Sequence, residues 1–125
     1  MSDTLRMIMP QWQGGNNPNY SMGARLLAWL APKSKGAIEV TIPVEAYEGE
    51  EPPREESIVA RGSLLRQLQS ATDSIEEHKP QKIIMFGGDC LVSQAPFAYL
   101  SKLYREKLGV LWFDAHPDVS TPSMH

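Results

Sequence analysis

The sequence is short of several things, and each shortage removes a class of protein. It has one cysteine, Cys90, so no internal disulfide can form, and a reducing, cytoplasmic setting is expected. No apolar run approaches the roughly 18–20 residues that span a bilayer, so a membrane protein is not expected. The opening MSDTLRMIMPQW lacks a basic region followed by a long apolar one, and a secretory leader is not expected either. Positive charge is not in excess: 12 Lys and Arg face 15 Asp and Glu, for a net charge of −3. That leaves no electrostatic footprint for nucleic acid or an anionic membrane surface. Neither a repeat nor a low-complexity tract is present. What remains is ordinary for a globular chain, with 42% hydrophobic and 22% charged residues, and 125 residues suit a single domain over 1–125.

Hydrophobic patterning predicts alternating strands and helices. Residues 5–9 are apolar and run into Pro10, as a strand would. A cluster of turn formers from Gly14 to Asn19 precedes a helix over 22–30, in which Leu26, Leu27 and Leu30 can share a face and which Pro32 ends. Residues 37–44 alternate and are rich in β-branched side chains, which predicts a second strand. The Glu-rich, Pro-interrupted stretch 45–56 reads as solvated loop, and its acidic run as exposed surface. The longest helix is predicted over 58–78, from Ile58, Leu64, Leu65, Leu68, Ala71 and Ile75. Residues 82–86 form a compact apolar strand that stops at Gly87-Gly88. A helix over 95–107 tolerates Pro96 in its first turn and carries cations near its end. Residues 109–113 read as a last strand. The order argues for an α/β fold with a parallel sheet covered by helices, and the last two strands, apolar throughout, are expected to be buried on both faces.

In such a sheet, ligands bind beyond the carboxyl ends of the strands. Two strand ends carry unusual chemistry: Gly87-Gly88-Asp89-Cys90 and Asp114-Ala115-His116-Pro117-Asp118. In an extended chain alternate side chains point the same way, so Asp114, His116 and Asp118 can converge. Two carboxylates and an imidazole suit a divalent ion such as manganese, which also relieves the repulsion between carboxylates. The plainer alternative is a loop with three solvated polar residues. Position favours the metal reading, because the triplet directly follows an apolar strand.

Together these two segments resemble the ureohydrolase family of arginases, agmatinases and formiminoglutamases, which carry Gly-Gly-Asp-His and then Asp-Ala-His-x-Asp after successive strands. The specific part of the resemblance covers residues 84–122 and includes Thr121-Pro122; the Gly14-Gly15 loop is compatible with it. The resemblance implies a three-layer α/β/α domain with a parallel sheet and a site for two manganese ions. Asp114 would bridge both ions, His116 would bind one and Asp118 the other, and Cys90 stands where a histidine shares the ion bound by Asp118. In the family, a bridging hydroxide attacks a guanidinium or amidine carbon and splits a linear C–N bond. The partner implied is a small guanidine or amidine.

This sequence departs from that pattern at Cys90, since a thiolate prefers zinc or another thiophilic ion over manganese. The alternative for Cys90 is a small packed side chain. Ser120 replaces an asparagine that contacts the α-carboxylate of arginine in arginases, which weakens strict arginine specificity; a polar turn residue is the equal alternative. The family's later Asp-x-Asp pair and His-containing loop fall beyond His125. The resemblance is therefore to an N-terminal portion, with an incomplete sheet, weak manganese binding and little hydrolysis expected of residues 1–125. An exposed sheet edge predicts self-association into a homo-oligomer. Two rival readings are a degenerate paralogue with a structural or interaction role, and an unrelated α/β module that binds one metal. His78 reads as a solvated helix end, and Trp12, Trp29 and Trp112 as packing residues at or near the core.

Overall fold

The chain's structure, a computed structural model, describes residues 3–119 and 121. Strand β1 (Thr4–Met9) is the centre of a three-stranded parallel sheet, with β2 (Ile38–Thr41) on one side and β5 (Lys82–Gly87) on the other. The register sets Leu5 beside Ile38 and Ile83, and Ile8 beside Thr41 and Phe86. Parallel pairing requires crossovers, and helices supply them: α1 (Asn19–Leu30) between β1 and β2, and α2 (Arg61–His78) before β5. Helix α3 (Gln94–Leu103) follows β5. The sheet, with α1 on one face and α2 and α3 on the other, bears out the α/β expectation in a small, incomplete form.

The period-2 alternation of β1 divides the interior. Leu5, Met7 and Met9 point to the α2 and α3 face, where they pack with Ile42, Ala71, Ile75, Val92 and Ala95 in one buried cluster. Arg6 points to the other face. Its guanidinium donates from Nη1 to the carbonyl of Pro32 (2.7 Å) and from Nη2 to that of Ala28 (2.8 Å), so it satisfies two carbonyls where α1 ends. It also lies 4.6 Å from the centre of the Phe86 ring, and its Nε sits 2.9 Å from Glu39 Oε2. A buried cation paired this way anchors α1 to the sheet through charge as well as packing. Little else does so, because only Ala24 of α1 is fully buried. Leu26, Leu27, Leu30 and Trp29 all face outward, Trp29 with 79% of its surface exposed. The expectation of a buried leucine face on this helix, and of Trp29 near the core, is therefore corrected: the helix meets the sheet through its small residue.

Three element bounds also differ. Helix α1 begins at Asn19, just after Pro18. Helix α2 begins at Arg61, because Ile58–Val59 (β4) pairs antiparallel with Arg54–Glu55 (β3) across a turn in which Glu56 and Ser57 are left-handed. Helix α3 ends at Leu103, and Arg105 and Glu106 are left-handed. The largest correction concerns residues 109–113. They form no strand, and Leu111 and Phe113 expose 86% and 94% of their surface. Trp112 is exposed too. A strand is held by a neighbour's hydrogen bonds, and among the described residues no strand lies alongside this segment. Ser120, Pro122 and His125 lie outside the described residues.

The exposed surface is large as a result. A folded monomer of this mass exposes about 6,700 Å², whereas this chain exposes 8848 Å².

Arg6 yields a stability prediction. Arg6→Met keeps much of the packing but leaves the Ala28 and Pro32 carbonyls without their donor, and should lower unfolding stability by about 2–4 kcal/mol in denaturant titration. A loss under about 0.5 kcal/mol, the range of an ordinary surface change, would show that α1 is anchored otherwise.

Candidate metal centre

The carboxyl ends of β1 and β5 lie side by side, so the loops that leave them meet. Gly88 permits this, since any side chain there would run into the backbone carbonyl of Gln11. Asp89 then ties the two loops. Its Oδ1 accepts from Gln11 Nε2 (2.9 Å) and from the backbone of Leu91 (3.1 Å), and its Oδ2 accepts from the backbone of Gly14 (2.8 Å). A Cβ on Gly14 would stand 2.7 Å from this carboxylate, which explains the glycine. Burial pushes the Asp89 carboxyl above the usual carboxylate range, against the pull of those hydrogen bonds. The same side chain caps the short 3₁₀ turn Cys90–Ser93 that leads into α3.

Behind Asp89 lies a buried polar network that sequence reasoning missed. Gln11, Gln13 and Gln67 are each 2% exposed. Gln67 Nε2 donates to Gln11 Oε1 (2.9 Å) and Gln13 Oε1 (3.1 Å), and Gln67 Oε1 accepts from the backbone of Glu45 (3.0 Å). Trp12 Nε1 and Gln13 Nε2 both donate to the Glu45 carbonyl. The loops after β1 and β2 are thus joined to one side chain on α2, and Gln11 links them on to Asp89 in the loop after β5. The available signal was the placement of two glutamines and a tryptophan directly after a strand and its closing proline.

Of the four residues singled out in the sequence, the fold brings three together. Ligand atoms of Cys90, Asp114 and Asp118 lie within 4.8 Å of one another. Cys90 Sγ is 3.8 Å from Asp114 Oδ2. His116 does not join them: its side chain is 81% exposed and its Nδ1 stands 3.5 Å from Asp114 Oδ1. Convergence arises from a turn and not from an extended chain. Asp114 Oδ1 accepts from the His116 backbone (2.9 Å), and Asp118 is left-handed, at φ 52°. That turn doubles the segment back and sets the two carboxylates against the thiol.

The electrostatics follow from this crowding. The Cys90 thiol is pushed up to about 11, first by its hydrogen bond to Asp118, then by burial and by the charges of Asp118, Asp114 and Asp89. Asp114 is held below the usual carboxylate range, chiefly by the His116 backbone N–H. A cleft of about 780 Å³ opens over the cluster, lined by Gly14, Gly15, Tyr20, Phe97, Trp112 and Asp118 among others.

An α/β domain with thiol and carboxylate donors gathered where two strands end, under an open cleft, has the layout of a ligand-binding crevice in a parallel-sheet protein. Residues 6–125 match the Arginase family, and the chain belongs to that family. No curated protein matches the chain.

Two measurements probe this geometry. A raised thiol pKa means that Cys90 is protonated at neutral pH and gains reactivity only as pH climbs towards 11. At pH 8 it should alkylate with iodoacetamide about a hundredfold more slowly than an unperturbed thiol, and Asp118→Asn should speed it. An inflection at or below the ordinary thiol value would contradict the placement of Asp118. Separately, Gln67→Leu should cost about 2–4 kcal/mol of stability by stranding the buried amides it pairs; a melting curve like that of the wild type would mean the network is not closed as described.

Proposed function

We propose that this chain supplies metal-binding residues to a hydrolase of linear C–N bonds in guanidines or amidines. Family membership supports the reaction class. The observation that carries the reading is the meeting of Cys90, Asp114 and Asp118 within a ligand's reach of one another. Tetrahedral coordination with metal–sulfur and metal–oxygen distances of about 2.3 and 2.0 Å separates sulfur from oxygen by about 3.5 Å, close to the 3.8 Å between Cys90 and Asp114. The three donors fit one divalent ion and leave a position open. With a thiol among them they suit zinc or another thiophilic ion before manganese. They are too few for the family's pair of manganese ions, even with His116 swung inward as a fourth. His116 is the side chain best placed to complete the set, since its Nδ1 already stands 3.5 Å from Asp114 Oδ1 and its backbone is anchored to the same carboxylate.

A bound ion there would supply Lewis acidity and lower the pKa of water. The residues of the chain do the rest. Asp114 and Asp118 hold negative charge where a cationic guanidinium or amidinium must approach, and the Asp89 tie fixes Cys90 relative to the sheet. The exposed Cys90 thiol is consistent with a reducing, cytoplasmic setting.

A second reading has its own support. Cys90 in place of a histidine and the outward His116 also fit a paralogue that has lost catalysis and keeps an interaction role. Self-association belongs to both readings. The chain exposes about 2,100 Å² beyond the expectation for its mass, and its seven undescribed residues, even fully extended, account for only about 1,100 Å² of that. The remainder exceeds the roughly 800 Å² that each partner of a standard interface buries. Leu111 and Phe113 are the exposed apolar groups such an interface would cover.

Calorimetric titration of the chelator-treated chain tests the metal reading. One zinc ion per chain, bound tighter than manganese and lost in Asp114→Asn, is the expected result. Two manganese sites tighter than zinc, or no ion at all, would overturn it. Zinc binding without release of urea or amine from any guanidine would favour the non-catalytic reading.

A further inference from the structure

The cleft above Cys90 has walls of a distinct character, and they bear on the substrate. Tyr20, Phe97 and Trp112 line it, and the Phe97 and Trp112 rings meet edge to face with centroids 6.3 Å apart. The Tyr20 ring lies against Gly15, where any side chain would displace it. The charged lining residues are Asp89 and Asp118, and no lysine, arginine or histidine lines the cleft among the described residues. A helix start could still attract an anion, but here that role is taken. Asp89 caps the 3₁₀ turn with its carboxylate, and the backbone N–H of Gln94 is spent on the Leu91 carbonyl. Ser93 and Gln94 offer neutral hydrogen bonds and no charge.

We propose that this cleft selects guanidinium or amidinium compounds whose body is apolar or aromatic and carries no carboxylate. The proposal rests on the guanidine- or amidine-binding reading above and narrows it. A cation is attracted to aromatic faces and to Asp118. An apolar body gains by covering Phe97 and Trp112. With no ion bound, a carboxylate on the same molecule would leave water with no cation among the described lining residues to meet it, and would face Asp89 and Asp118. Guanidino acids, arginine among them, are therefore disfavoured by the wall of the cleft.

Binding of butylguanidine, phenylguanidine and 4-guanidinobutyrate to the full chain, in the presence of a chelator, tests this. The first and third share a head group and chain length and differ in the carboxylate. Butylguanidine should bind about tenfold or more tighter than 4-guanidinobutyrate, and phenylguanidine at least as tightly as butylguanidine. Phe97→Ala and Trp112→Ala should each weaken phenylguanidine by about two- to fivefold, while Trp112→Phe, which keeps a ring, should not. Equal or tighter binding of 4-guanidinobutyrate, no binding of any of the three, or alanine variants that bind like the wild type would each overturn the proposal. The assay needs neither metal nor turnover. A chain that fails to hydrolyse anything when loaded with zinc would sink the catalytic reading and leave this selectivity standing. Loss of the selectivity would leave hydrolysis untouched.

Discussion

The carboxylate of Asp89 accepts three hydrogen bonds from two loops, and the arrangement of the site depends on it. One bond reaches the Gln11 side chain and one the Gly14 backbone, both beyond the end of β1, while the third caps the turn that begins at Cys90. Without it, two glycine-bearing loops would leave adjacent strands with nothing to fix their separation. With it, Cys90 is held at a set place relative to the sheet, and the thiol becomes a fixed point around which other donors gather. The buried glutamines extend the tie to α2 and to the loop after β2. A carboxylate that burial pushes above its usual pKa is costly to keep charged, so its three donors are a requirement of the fold.

The other half of the site is held far more lightly. Asp114 and Asp118 come from a segment without strand partners, and its local order rests on the Asp114 to His116 turn and the edge contact of Trp112 with Phe97. The rigid half carries the thiol and the light half carries the carboxylates. An ion bridging the two would join elements that the chain alone connects weakly, so metal binding as proposed would be coupled to ordering of residues 112–118. The same segment leaves the apolar Leu111 and Phe113 exposed beside the site.

Much of this was legible in the sequence, for physical reasons that can be named. The strands at 5–9 and 82–86 and the long helix were visible because burial on one or both faces imposes a period. The two chemical segments were visible because glycines and alternating Asp and His stand out after apolar runs, and they carried the resemblance that family membership bears out. Residues 109–113 misled because an apolar run states only that a strand would be buried if a neighbour were present; it does not supply the neighbour. Leu26, Leu27 and Leu30 misled in the same way, since periodicity cannot tell a face that packs inside the chain from one left outside. The glutamine network was illegible because it joins Gln11 and Gln13 to Gln67, more than fifty residues away, and each is ordinary by itself. Convergence of Asp114 with Asp118 was anticipated by alternation and achieved by a left-handed turn instead.

The proposal that Cys90, Asp114 and Asp118 together hold one thiophilic ion has a spectroscopic signature. Cobalt is the most direct probe, because a cobalt–thiolate bond has its own charge-transfer absorption. One equivalent of cobalt should give this band, zinc should displace it, and Cys90→Ser should abolish it. Cobalt that binds without the band, or a band unchanged in Asp114→Asn and Asp118→Asn, would show that these three residues do not form the site.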